Sequence, residues 1–154
     1  MMAIYRNVMV AVDGSKEADG AFSRALKIAA ADGAKLHIAH VVDTRSLTPM
    51  DQYAPYNISI TDAESYGGKL LDEYVEKAKM QGYENVEAVL QSGSPKRDLP
   101  ITLADKYNTD LIVCGATGLN AVERFLIGSV SEQIVRNAHC DVLVVRDKEI
   151  SRES

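Results

Sequence analysis

Cysteine is scarce in this sequence and basic charge is outweighed. Only Cys114 and Cys140 occur, in no C-x-x-C pair and at no spacing from histidine that suggests zinc, so a disulfide framework and a Cys/His zinc module are both excluded. At opposite ends of parallel neighbouring strands they would stand about 15 Å apart, at about 3.3 Å per residue, too far for a disulfide. Both are expected reduced and buried. Seventeen Lys and Arg against twenty-two Asp and Glu leave a net charge of −5 with no basic stripe, which speaks against nucleic acid and anionic membranes as partners. No segment approaches 18 uninterrupted apolar residues, and the start, MMAIYRNVMV, lacks the basic residues, apolar run and cleavage site of a signal peptide. A cytoplasmic protein is expected. There is no G-x-x-x-x-G-K-[ST], hence no P-loop lysine. His37, His40 and His139 form no metal-ligand spacing, and His40, on an apolar strand, reads as a satisfied core histidine. Ser15, Ser94 and Ser129 lack the context of a nucleophile elbow.

What is present is an alternation of two periodicities. With 154 residues, 46% hydrophobic and 25% charged, the chain suits one domain, expected over residues 1–146, with a tail at 147–154. Val8 to Val12 is an apolar run ended by Asp13-Gly14-Ser15, a turn and helix-start signal. Ala18, Phe22, Ala25, Leu26 and Ala29 follow at helical spacing, and Lys35 to Asp43 reads as a second strand. From Thr44 to Ile60 no period is sustained, so a long loop is expected, with Tyr53 and Tyr56 either covering a ligand or packing on the surface. Thr61 to Glu64 resembles a capping box, ahead of a helix that Gly67-Gly68 weakens by about 1 kcal/mol per glycine. Val86 to Leu90 is a third strand, Pro95 starts a third helix that Pro100 should kink, and strands at 110–114 and 142–146 flank a fourth helix at 129–138. Apolar strands separated by helices predict an α/β fold, an open, doubly wound five-stranded parallel sheet with helices on both faces.

Ligands of such sheets bind outside the carboxyl ends of the strands. Asp13, Val41 to Asp43 and Gly115 all fall there. The segment from Gly115 to Ser129, GATGLNAVERFLIGS, carries Gly115, Gly118 and Gly128 with Ser129 in a G-x2-G-x9-G-S spacing. Glycines at a strand end permit positive φ and close approach of a ligand to bare amides. A helix starting at Gly128-Ser129 offers free N–H groups and a positive dipole end to an anion, so the segment reads as a phosphate cradle. Ser129 also fits a capping box with Glu132, Asp13 also fits a helix start with Ser15, and Arg124 fits either a phosphate contact or the outside of a short amphipathic turn. Asp13 and Asp43 together offer oxygen ligands to magnesium.

VAVDGS after the first strand, HVVD after the second, the G-x2-G-x9-G-S loop and the closing GSVSEQIVRNAHCDVLVVR together resemble the universal stress protein family, over about Ile4 to Arg146. The loop looks like that of the ATP-binding subclass. The resemblance implies strand order 3-2-1-4-5 and a homodimer paired through the last strand, 142–146. It implies a nucleotide site of Ala11, Val12 and Asp13 from the first motif and Val41 from the second, with Cys114, Gly115, Gly118, Gly128, Ser129 and Val130 around ribose and phosphates. ATP, or ADP or AMP, is the implied ligand, commonly with magnesium or manganese. Cys114 stands where Met is frequent in the family, and Asp141 where Pro often precedes the last strand.

Three functional readings follow. The preferred one is an ATP-binding regulatory stress-response protein with slow or no hydrolysis and no catalytic residue assigned, because the P-loop lysine and an evident general base are both missing. The second is an ATP hydrolase or a nucleotidyl or phosphoryl transferase, and the third a dimeric interaction protein without nucleotide.

Overall fold

Val8, Met9 and Val10 carry no group that gains from water, and all three are fully buried in the first strand, β1 (Asn7–Ala11). The computed structural model describes residues 3–46, 59–117 and 127–146. After β1 come α1 (Lys16–Asp32), β2 (Lys35–Asp43), a 3-10 turn (Thr44–Ser46), α2 (Ile60–Met80), β3 (Val86–Gly93), α3 (Pro95–Arg97), a π-helical stretch (Asp98–Leu103), α4 (Ala104–Lys106), β4 (Leu111–Gly115), α5 (Ser129–Asn137) and β5 (Asp141–Val145). The strands form one sheet in the order β3-β2-β1-β4-β5, every pairing parallel. This is the expected α/β architecture and strand order. β3 runs three residues beyond the apolar segment, because its pairing with β2 continues to Asp43 opposite Gly93.

Alternation along the strands sends side chains to two faces. Val8, Val10, Leu36, Ile38 and Val113 pack with Phe22 and Leu26 of α1 and Leu71 and Tyr74 of α2. Met9, Ala39, Val41, Ile112 and Cys114 pack on the other face with Leu99, Leu103 and Ile134. Helices cover both faces, which is why the central strands read as continuous apolar runs.

The start of α1 agrees with the sequence reading, and the start of α2 differs from it. α1 is capped as expected by Ser15, whose Oγ accepts from the Ala18 N–H at 3.1 Å. α2, however, is capped by Ser59, whose Oγ accepts from the Asp62 N–H at 3.1 Å, and not by Thr61, which lies inside the helix. Nor do Gly67 and Gly68 interrupt α2. A Cβ on Gly67 would stand 2.8 Å from His40 Cδ2 and 2.9 Å from Leu90 Cδ1, so glycine here admits α2 close to the sheet, and packing outweighs its low helix propensity. Pro100 falls in the wide stretch Asp98–Leu103 between α3 and α4, where the missing N–H and the ring are accommodated by a departure from α geometry.

Cys114 and Cys140 are both free, as expected, although only Cys114 is fully buried. Among the described residues no helix is long and apolar enough to cross a membrane.

Candidate functional site

The turn from β1 to α1 is held by short-range bonds that the sequence Val12-Asp13-Gly14-Ser15 makes with itself and with β2. Asp13 Oδ1 accepts from the Ser15 N–H at 2.9 Å. The Val12 N–H donates to Ala39 O at 2.9 Å, and Val12 O accepts from His40 Nδ1 at 2.8 Å. Because a carbonyl only accepts, Nδ1 carries the proton and His40 is the satisfied histidine that its strand position predicts. Tyr66 of α2 brings its hydroxyl over Gly14, where an added Cβ would lie 3.3 Å away. Nothing in the sequence pattern singled out Tyr66, since 52 residues separate it from the turn.

At the end of β4 the next residues are held from four directions. Ser131 Oγ in α5 donates to Gly115 O at 2.5 Å. The Ala116 N–H donates to Val145 O of β5 at 2.9 Å, and Ala116 O accepts from the Gly128 N–H at 2.7 Å. The Thr117 N–H and Oγ1 both donate to Glu17 Oε2 of α1, at 2.5 and 2.7 Å. The bond between Ala116 and Gly128 joins the two ends of the glycine segment and brings the start of α5 beside the end of β4. The amides of Ala116 and Thr117 are thereby committed within the chain.

Two expectations about this segment need correcting. Gly115 does not provide a left-handed turn: the described glycines with positive φ are Gly14, Gly33 and Gly82. A Cβ on Gly115 would instead lie 2.9 Å from Glu17 Cβ and 3.1 Å from the Glu17 carbonyl carbon, so the glycine is required by the approach of α1. Ser129 does not cap α5 either. Gly128 is the N-cap residue, without a side-chain cap bond, and Ser129 is the first helical residue. That releases the Ser129 hydroxyl from the capping role and leaves the first N–H groups of a nine-residue helix without intrahelical acceptors. The helix dipole adds positive potential at the same end.

Of the residues assigned to a nucleotide from the sequence, Ala11, Val41, Cys114 and Val130 belong to one apolar cluster on the face covered by α5. Val12 points to the opposite face. Asp13, Gly115, Gly128 and Ser129 lie at the same carboxyl edge, on the turns after β1 and β4 and before α5. Gly118 and Arg124 of the loop, Tyr53 and Tyr56, and the tail 147–154 lie outside the described residues. Burial pushes the Cys114 thiol up to about 11, against a smaller opposite pull from the Ser131 hydroxyl, so it is a neutral, apolar wall and not a nucleophile near pH 7. Glu17 and Ser131 were missed. The signal available for Glu17 was its position four residues before Ala21, on the stripe that α1 turns inward: a carboxylate there requires a partner.

Among the described residues no three His, Cys, Asp or Glu side chains are grouped to hold a metal ion. Magnesium needs few protein ligands when phosphate oxygens and waters complete its shell. Asp13, half-buried at the strand end with one oxygen on the Ser15 amide, fits that demand. Asp43 fits it less well, since its Oδ1 accepts from the Arg45 N–H at 3.0 Å and faces Arg45 Nε at 3.5 Å.

Residues 4–146 match the Universal stress protein family. A Staphylococcus haemolyticus protein named as a candidate universal stress protein is 47% identical over 153 residues, covering 99% of this chain and 91% of the relative. The solved structure of universal stress protein UspA from Lactobacillus plantarum is similar with a TM-score of 0.79 and 32% identity, over 92% of this chain and 98% of that one. A universal stress protein solved in complex with cAMP is similar with a TM-score of 0.69 and 32% identity, over 92% of this chain and 97% of that one.

Proposed function

The chain belongs to the universal stress protein family, and from that membership we propose that it is an ATP-binding regulatory protein of the stress response, with hydrolysis slow or absent. Adenine and ribose lie against the apolar cluster of Ala11, Val41, Cys114 and Val130, near Asp13. The phosphates meet Gly118, Gly128, Ser129 and the first amides of α5, with magnesium or manganese carried by the phosphates and one carboxylate, Asp13. The observation that carries this reading is the bond between Gly128 N–H and Ala116 O at 2.7 Å, because it sets a helix N-terminus beside the end of a central parallel strand, where anions bind. A relative at 32% identity crystallised with cAMP supports an adenine nucleotide as the ligand class. The protein is read as a single cytoplasmic domain over residues 1–146.

Thermal unfolding with MgATP tests the reading, with GTP and AMP as controls. At 100 times the dissociation constant, specific binding adds about 2.7 kcal/mol, a rise of about 5 to 10 °C for a domain of this size. A rise with MgATP beyond that with GTP is the expected result. No rise with any adenine nucleotide returns the protein to an interaction role without nucleotide.

A homodimer through β5 is part of the proposal. β5 stands at one edge of the sheet, and Val142, Leu143 and Val144 in it remain only half-buried, apolar surface that a second copy would cover. Val144→Asp is expected to convert the dimer to monomer in light scattering, since an unpaired carboxylate at an apolar interface costs several kcal/mol, about 3 to 5. An unchanged mass overturns this interface.

A further inference from the structure

We propose that Glu17 is a positioning residue for the nucleotide loop, holding its first residue, Thr117, through a carboxylate that reaches the loop from the layer opposite α5. The proposal rests on the nucleotide reading above. Glu17 is charged and yet 9% exposed, on a helix that otherwise turns alanine, leucine and phenylalanine inward. Its Oε2 accepts from both the N–H and the hydroxyl of Thr117, at 2.5 and 2.7 Å. A carboxylate accepting two such bonds is a strong, directional hold. It acts together with three other fixings: Ser131 on Gly115, Val145 on Ala116, and Gly128 on Ala116. These three tie the segment to α5, to β5 and to its own far end, whereas Glu17 ties it to α1. α1 packs on the face of the sheet opposite α5, so the carboxylate takes no position that an anion at the start of α5 needs. It sets where the chain leaves the sheet on its way to Gly118, while Ala11, Val41 and Cys114 form their apolar surface without it.

The consequence is a split between phosphate and base recognition. On the full chain, calorimetric titration with MgATP and with adenosine separates the two. Glu17→Ala is expected to weaken MgATP by about tenfold, the scale of a lost charge-assisted bond, and to leave adenosine within about twofold. Glu17→Gln, whose side-chain carbonyl still accepts from both donors, restores most of the MgATP affinity. Thr117→Val, which leaves α1 untouched, reproduces part of the loss and serves if Glu17→Ala does not fold. In ligand-free protein, amide hydrogen exchange in a peptide spanning residues 115–129 is expected to quicken in Glu17→Ala while the peptides of β1 and β2 stay unchanged. Parallel weakening of MgATP and adenosine, unchanged MgATP affinity, or unchanged exchange overturns the proposal. Wild-type protein that binds neither probe overturns the nucleotide reading as well, whereas wild-type binding that is indifferent to Glu17→Ala overturns only the role of Glu17.

Discussion

Gly115→Val is expected to lower the stability of the folded protein by about 3 kcal/mol, the upper part of the range for overpacking a filled site. Even the first added carbon meets Glu17 Cβ at 2.9 Å and the Glu17 carbonyl carbon at 3.1 Å. The second of those atoms is backbone and cannot rotate away. Relief therefore requires α1 to withdraw from β4, which loosens the packing of Ala18, Ala21 and Phe22 that α1 buries, or requires β4 to bend where it pairs with Val145. Gly115→Ala should cost less, since a single methyl allows a shift of a few tenths of an ångström. Urea unfolding measures both. A lower midpoint with an unchanged slope is the expected pattern, for then the native state has lost stability without a change in the surface exposed on unfolding. Equal midpoints for wild type and Gly115→Val would mean that α1 and β4 are not in close contact.

Asp98→Ala is expected to cost about 2 kcal/mol for a different reason: it removes a buried carboxylate that accepts two hydrogen bonds, one from the half-buried Ser94 and one from the exposed Thr102. Asp98 is 3% exposed. Its Oδ2 accepts from the Ser94 N–H at 3.0 Å and its Oδ1 from the Thr102 hydroxyl at 3.1 Å. The carboxylate thereby ties the end of β3 to the wide helical stretch around Pro100, and alanine leaves the half-buried Ser94 N–H without its acceptor, while the hydroxyl of the exposed Thr102 turns to water. Arg97 adds little, because its guanidinium lies 3.6 Å away on a side chain 74% exposed. A fall in Tm of about 4 to 8 °C is expected by calorimetry for a domain of this length. Asp98→Asn keeps one acceptor and should fall between. If Asp98→Ala unfolds with wild type, the two bonds are replaced by water and Asp98 is not a structural tie.

The apolar runs made the strands legible, because a strand covered on both faces needs no polar alternation. β2 appears with the bounds read from Lys35 to Asp43, and β1, β4 and β5 differ by one residue. The caps were legible only where competing hydroxyls were absent. Ser15 was found at α1, but at α2 the capping box pointed to Thr61 where the backbone makes Ser59 the cap, and at α5 it pointed to Ser129 where Gly128 takes that position. The carboxyl-edge convergence of Asp13, Val41 and Gly115 was legible from the alternation of strands and helices alone, since parallel connections bring every βα turn to one edge. The physical role of Gly115 was not. A glycine admits left-handed backbone and close approach alike, and only the position of α1 separates the two.

What the sequence by itself determined is therefore local: which segments are strands and helices, that they alternate, and hence that the sheet is parallel and its βα turns share an edge. The order of strands came from the resemblance of four motifs to a family and is borne out by the pairing of β1 with both β2 and β4. Only the tertiary structure decided the contacts that hold the loop's base. Glu17 and Thr117 are separated by 100 positions in sequence, Gly115 and Ser131 by 16, and no periodicity of 2 or 3.6 links them. Their partnership arises because burial of a carboxylate or a hydroxyl has to be compensated by a hydrogen bond, and which donor stands there is fixed by how α1 and α5 settle on opposite faces of the sheet.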